Sequence, residues 1–184
     1  KHFGKTGETP VCFPIPPHDK NRESKKAVIL EGIENALSIR AHYTDSWLFV
    51  ATSKNGLKHL PQFLENFGVV LILSDHDFDR ETHPEKDSHP TPDKTGQAEA
   101  WRLSKILIKQ AYTLGKQNFS CKAVMPGQAG KDANDAITNG KLSEFIDGLI
   151  DIPEKFHGIE VGTEDSSELV VLSLEELLKR PTPP

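Results

Sequence analysis

The chain has 184 residues, of which 36% are apolar and 27% charged, with 13 glycines, 13 prolines and a formal net charge of −5. That length suits one domain able to bury a core without staples, together with some extended polar material, and the acidic balance counts against a passive nucleic-acid binder. The two cysteines, Cys12 and Cys121, are too far apart for a zinc ribbon or a disulfide framework, and no apolar run reaches the roughly 18 residues of a membrane span. Residues 1–26 are rich in Pro, Lys and Gly, with Val11 to Ile15 a candidate edge strand that tolerates proline. Ala27 to Leu30 is a short, β-branched apolar run of the buried-strand kind, followed by apolar residues at helical spacing from Ile33 to Ile39. Trp47 to Ala51 predicts a second strand, and Leu57 to Phe67 a helix ending at Gly68. Val69 to Leu73 is the clearest buried strand, and the proline-rich, charged stretch that follows it predicts a loop. Gln97 to Leu114 predicts a long amphipathic helix, Phe119 to Met125 a fourth strand, and Asp132 to Thr138 and Leu142 to Ile150 two short helices. Leu169 to Leu172 is a further candidate strand, and Ser173 to Glu176 has capping-box spacing.

The order β-α-β-α-β-loop-α-β-α predicts an α/β fold, a mainly parallel four-stranded sheet with helices on both faces. The expected organisation is a flanking segment 1–26, a domain 27–150 with a loop insertion 78–94, and an acidic linker and extension 151–184. In such sheets ligands bind beyond the carboxyl ends of the strands. That rule selects Glu31, which follows the first parallel strand, and Asp75 and Asp77, which follow the strand Val69–Leu73. Carboxylates crowded at one edge repel unless a proton or cation intervenes, and oxygen-only donors favour Mg²⁺ or Mn²⁺ over zinc. His76, His83 and His89 fit no zinc spacing and read as solvated loop residues, so no zinc is expected. The charge is unevenly placed: residues 61–95 hold 3 basic and 8 acidic side chains, residues 96–141 hold 7 and 3. An acidic site can therefore act on a polyanion when a metal ion bridges the two.

Four motifs carry a family resemblance. Glu31-Gly32-Ile33-Glu34-Asn35-Ala36-Leu37 resembles the first motif of Toprim domains, most closely the primase and primase–helicase branch found in phages, plasmids and other mobile elements. Leu73-Ser74-Asp75-His76-Asp77 resembles that family's Asp-x-Asp motif, Ala51 to Lys58 occupies the place of its small Gly-containing loop, and Gly130-Lys131-Asp132-Ala133-Asn134-Asp135 resembles its third signature. The similarity spans about residues 27–140 with order and spacing intact. It implies a Rossmann-like Toprim fold with Glu31, Asp75 and Asp77 as metal-holding catalytic carboxylates, and Asp79 as a further metal-proximal candidate.

The sequence departs from that pattern at Asn35, where bacterial primases carry an Asp. Glu34 is an accessory candidate in its place, because i and i+3 share a helix face. Residues 78–94 lengthen the path to Thr95-Gly96-Gln97-Ala98, and no cysteine-rich zinc module is present. Lys131 and Asp132 are further accessory candidates, Asp132 also as a helix N-cap. Lys54, Lys58, Arg102, Lys105 and Lys109 form a candidate basic rim for a nucleic-acid backbone, the last three on one helix face; Trp101 belongs to the apolar stripe.

The resemblance implies nucleotidyl transfer in primer synthesis, with single-stranded DNA template and nucleoside triphosphates as partners, together with further domains of the same protein or a replicative helicase. A Toprim nuclease using the same carboxylates, and a non-catalytic metal-, nucleotide- or partner-binding module, remain alternatives. A topoisomerase fits less well, since Tyr43 and Tyr112 fall in predicted helices. The amino-terminal Lys-His-Phe-Gly has no signal-peptide pattern, so the chain is expected to be a cytoplasmic part of a longer protein, with template recognition in a preceding region.

Overall fold

A computed structural model describes residues 12–19, 24–52, 57, 64, 66–81, 83–86, 91–128 and 130–157. Six strands form one sheet: β1 (Cys12–Ile15), β2 (Lys26–Glu31), β3 (Trp47–Ala51), β4 (Val69–Leu73), β5 (Ser120–Pro126) and β6 (Leu149–Asp151). Their spatial order is β1-β3-β2-β4-β5-β6. The expected four parallel strands, β3-β2-β4-β5, are the centre. β1 and β6 are antiparallel additions at the two edges, and Pro14 is accommodated on the outermost strand, where a missing N–H costs no ladder bond.

Alternation along β2 builds both layers. Ala27 and Ile29 face one side, where they pack with Leu57, Leu64, Ile72, Leu103 and Leu107; Val28 and Leu30 face the other, with Ala36, Ile39, Val124 and Ala133. The first layer is covered by α2 (Gly96–Thr113), the second by α1 (Ile33–Ile39) and α3 (Ala133–Thr138). Thr95 caps α2, its Oγ1 accepting from Ala98 N at 3.3 Å. Among the described residues, no helix is long and apolar enough to cross a membrane.

Two expectations change. The apolar run Leu142 to Ile150 is one helix by sequence, but α4 (Leu142–Asp147) stops at Gly148, and Leu149 and Ile150 pair with Pro126 and Met125 as β6. A short apolar run fits either period, and the unfilled edge of β5 decides it. The segment after residue 150, expected as linker, continues into the fold: Ile152 and Phe156 are buried in the α2-side core, Phe156 within a short 3₁₀ turn (Glu154–Phe156). Most of the expected helix Leu57 to Phe67, and the expected elements beyond residue 157, lie outside the described residues.

Phe156 is therefore an anchor of the domain. Phe156→Ala is expected to lower stability by about 3–5 kcal/mol in urea unfolding, as for other buried Phe truncations. A loss under 1 kcal/mol would show that the segment only rests on the surface.

Candidate metal centre

The parallel register brings three chain segments to the carboxyl edge of the sheet. Glu31 ends β2 opposite Ala51 of β3, and Leu73 of β4 stands opposite Leu30. The chain leaves Glu31 through Gly32, whose φ of 83° suits glycine and whose N–H donates to Ala51 O at 2.9 Å. Beyond β4, Ser74 N donates to Val124 O at 3.0 Å, which carries the sheet pattern one residue further before Asp75 and Asp77 turn out of it.

Each aspartate is held by a neutral donor. Asn35, buried on α1, donates through Nδ2 to Asp75 Oδ1 at 3.0 Å and to Glu31 O at 3.3 Å, and its Oδ1 accepts from Asn134 N at 3.1 Å. One amide thereby ties the Glu31 strand end, Asp75 and the start of α3 together. Asp77 Oδ2 accepts from Gly96 N, the first residue of α2, at 2.8 Å, and Gln97 Nε2 donates to Asp77 O at 3.0 Å. The long insertion therefore loops out and returns the small residues before α2 to the Asp-x-Asp turn. An added Cβ on Gly96 would lie 3.1 Å from Asp77 Oδ2, 3.4 Å from Ser74 Oγ and 3.9 Å from Glu31 Oε2. Glycine here leaves room for these oxygens to converge.

The third signature closes the site. Gly130, at φ 71°, donates its N–H to His76 O at 2.8 Å, and an added Cβ would fall 2.5 Å from Phe78 Cζ. Asp132 Oδ1 accepts from Asp135 N at 2.8 Å, the N-cap role expected of it. Its charge also reaches Asp75. Burial pushes the Asp75 carboxyl up to about 7, and the charges of Glu31, Asp132 and Asp77 add to the rise. Asp75, Asp77, Lys131 and Asp132 line a cavity of about 230 Å³.

The remaining candidates sit elsewhere. Asp79 is 2% exposed and accepts from Lys155 Nζ at 2.7 Å, an ion pair that fastens the insertion to the Phe156 turn. Glu34 is exposed, and the inward position belongs to Asn35. Arg102 pairs with Glu99 at 2.7 Å and Lys105 lies 5.2 Å over the Trp101 ring, so two members of the expected basic rim are engaged on their own helix. Lys109 also lies on α2, while Lys54 and Lys58 fall outside the described residues. Trp101 packs against the core and stacks on His157 at 4.4 Å. His76, expected to be solvated, instead donates from Nδ1 to Pro126 O at 2.7 Å and meets the Phe156 ring edge-on; burial lowers its pKa.

Sequence reasoning missed the part played by Asn35, reading its position as a lost acid. The signal was its place one residue after Glu34 and four after Glu31, on the buried side of α1.

Among the described residues, no three His, Cys, Asp or Glu side chains are close enough to hold an ion as they stand. Asp75 and Asp77 are turned to Asn35 and Gly96. The donor chemistry nonetheless fits a hard divalent cation: burial, and after it the charges of Glu31, Asp132 and Asp77, raise Asp75 to about 7, and a cation offsets both.

A family profile of the Toprim domain matches residues 26–141, and the chain belongs to that family. Toprim domains bind divalent metal ions, typically Mg²⁺, and occur in primases, nucleases and topoisomerases. No curated protein matches the chain significantly.

The raised acid fixes the sign of a pH effect. Asp75 ionises near pH 4 in the unfolded chain and near 7 in the fold. Without divalent ions, its contribution to stability is present below about pH 4 and is lost as pH rises towards 7. Asp75→Asn keeps an acceptor for Asn35 and removes the charge. Its melting temperature without divalent ions is expected to exceed wild type at pH 8, with the gap narrowing towards pH 4. A variant less stable than wild type at pH 8 would contradict the raised Asp75 carboxyl.

Proposed function

We propose that this chain is the catalytic Toprim part of a DNA primase of the mobile-element type. In the reaction a 3′-hydroxyl attacks the α-phosphate of a nucleoside triphosphate on a single-stranded DNA template, and pyrophosphate leaves. The observation that carries the reading is that Asn35 joins the Glu31 strand end and Asp75 to Asn134, while Asp75 and Asp77 share one cavity with Lys131 and Asp132. Sequence supports the primase branch in particular, because all four motifs follow its order, with departures at Asn35 and in the insertion 78–94.

Glu31, Asp75 and Asp77 would hold Mg²⁺ or Mn²⁺. Bound there, such ions align and neutralise phosphate oxygens during phosphoryl transfer. The chain's own groups set the stage. The Gly96 N–H orients Asp77, Asn35 orients Asp75, and Lys131 offers a point charge to a phosphate from the cavity wall. Template binding and the partner domains or helicase belong to the rest of the replication assembly in this reading.

Joined to the region that supplies template binding and incubated with single-stranded DNA, labelled nucleoside triphosphates and Mg²⁺ or Mn²⁺, the chain is expected to produce short primers. Replacing Asp75 and Asp77 together by Asn should cut the yield by about 100-fold or more, the scale of several kcal/mol of lost charge stabilisation. Cleavage of the DNA without nucleotide consumption would replace the primase reading with a nuclease one.

A further inference from the structure

Strand β5 has more edge than its neighbours fill. On one side it pairs with β4 from Ser120 to Val124; on the other, β6 reaches only Val124, Met125 and Pro126. The Ser120 N–H donates to Gly68 O at 2.8 Å and the Val124 C=O accepts from Ser74 N at 3.0 Å, both on the β4 side. Alternation therefore turns the N–H and C=O groups of Cys121 and Ala123 to the opposite edge, where no strand pairs with them among the described residues. The chain does not carry β6 further along that edge, because Ile152 turns into the core.

The neighbouring flank of α2 is uncovered as well. Trp101, Lys105, Ile108 and Tyr112 recur along it at helical spacing. At its start Trp101 is stacked on His157, the last described residue, so this flank faces the side of the fold where the chain emerges from β6. Further along, Ile108 is 45% exposed and Tyr112 87%. α2 runs back from the end of β4 to the start of β5 and packs on β5, which sets this half of the flank beside the open half of the strand.

One segment of the chain suits both surfaces. Residues 169–172, Leu-Val-Val-Leu, are the apolar, β-branched run that the sequence marks as a further strand. They follow His157 through residues 158–168, a connection that spans up to about 36 Å when extended, whereas α2 rises only about 16 Å from Trp101 to Tyr112. The connection carries Glu160, Glu164, Asp165 and Glu168 and no Lys or Arg, and the exposed side of α2 presents Lys105 and Lys109 to it.

We propose that residues 169–172 add to the sheet at the Cys121 and Ala123 edge of β5, with alternate side chains against Ile108 and Tyr112. Main-chain hydrogen bonds hold such an added strand, and the apolar flank beside it selects the segment. An open strand edge and an exposed apolar stripe, each an invitation to pair with other chains, are then closed together.

Amide hydrogen exchange on the full chain, resolved by residue with NMR and repeated over a range of concentrations, tests this placement. The Cys121 and Ala123 N–H groups are expected to exchange at least about tenfold more slowly in wild type than in Val170→Pro with Val171→Pro, which removes a ladder N–H whichever alternation the segment takes. Ile108→Asp, which puts a charge on the helix flank and leaves both strands intact, should speed exchange at the same two groups. Melting curves show that each variant is folded. Exchange as fast in wild type as in the variants overturns the proposal, because the edge is then open. Slow exchange that persists in both folded variants also overturns it, because something other than residues 169–172 then covers the edge. Protection that disappears on dilution gives the edge to a second copy and overturns the placement within one chain.

Discussion

Repulsion between carboxylates is the constraint on which this structure turns. Parallel strands deliver Glu31 and the Asp75–Asp77 turn to the same edge, and α3 adds Asp132. A fold that collects acids in this way needs donors for them, and neutral donors orient a carboxylate while leaving its charge in place. Asn35 and the Gly96 N–H are those donors. Neither quenches the negative charge, and Asp75 is raised to about 7, first by burial and then by the charges of Glu31, Asp132 and Asp77. The site is thus poised for a divalent cation, which relieves a cost that the folded chain carries without it.

The same constraint accounts for the insertion. Twenty residues separate Asp77 from Gln97, yet Gln97 Nε2 and the Gly96 N–H both return to the Asp77 residue. What lies between can vary in length provided the two ends meet. The start of the insertion is tied down by the ion pair of buried Asp79 with the exposed Lys155, and Lys155 belongs to the turn that carries Phe156 into the core. The stretch after residue 150 is therefore coupled to the site through packing, which its polar sequence conceals.

Much of this was legible in the sequence. The apolar runs Ala27–Leu30, Trp47–Ala51 and Val69–Leu73 could only be buried strands, and their alternation with amphipathic stretches gave a parallel sheet. A parallel sheet then placed Glu31, Asp75 and Asp77 on one edge without any knowledge of side-chain conformations. Less legible were facts that depend on partners distant in sequence. β6 exists because β5 had an open edge, Asp79 is an ion-pair acid because Lys155 lies across from it, and Asn35 matters through Asn134, 99 residues away. The net charge of −5 pointed away from nucleic acid because it averaged over position; the acids that matter are those at the sheet edge.

The central claim, that the crowded carboxylates form a divalent-cation site, is tested most directly by Mn²⁺ binding at pH 8, where Asp75 is ionised. Wild type should bind, and Glu31→Gln, Asp75→Asn and Asp77→Asn should each weaken binding by about tenfold or more, whereas Asp79→Asn should not. Equal affinity in wild type and all three ligand variants would contradict the account.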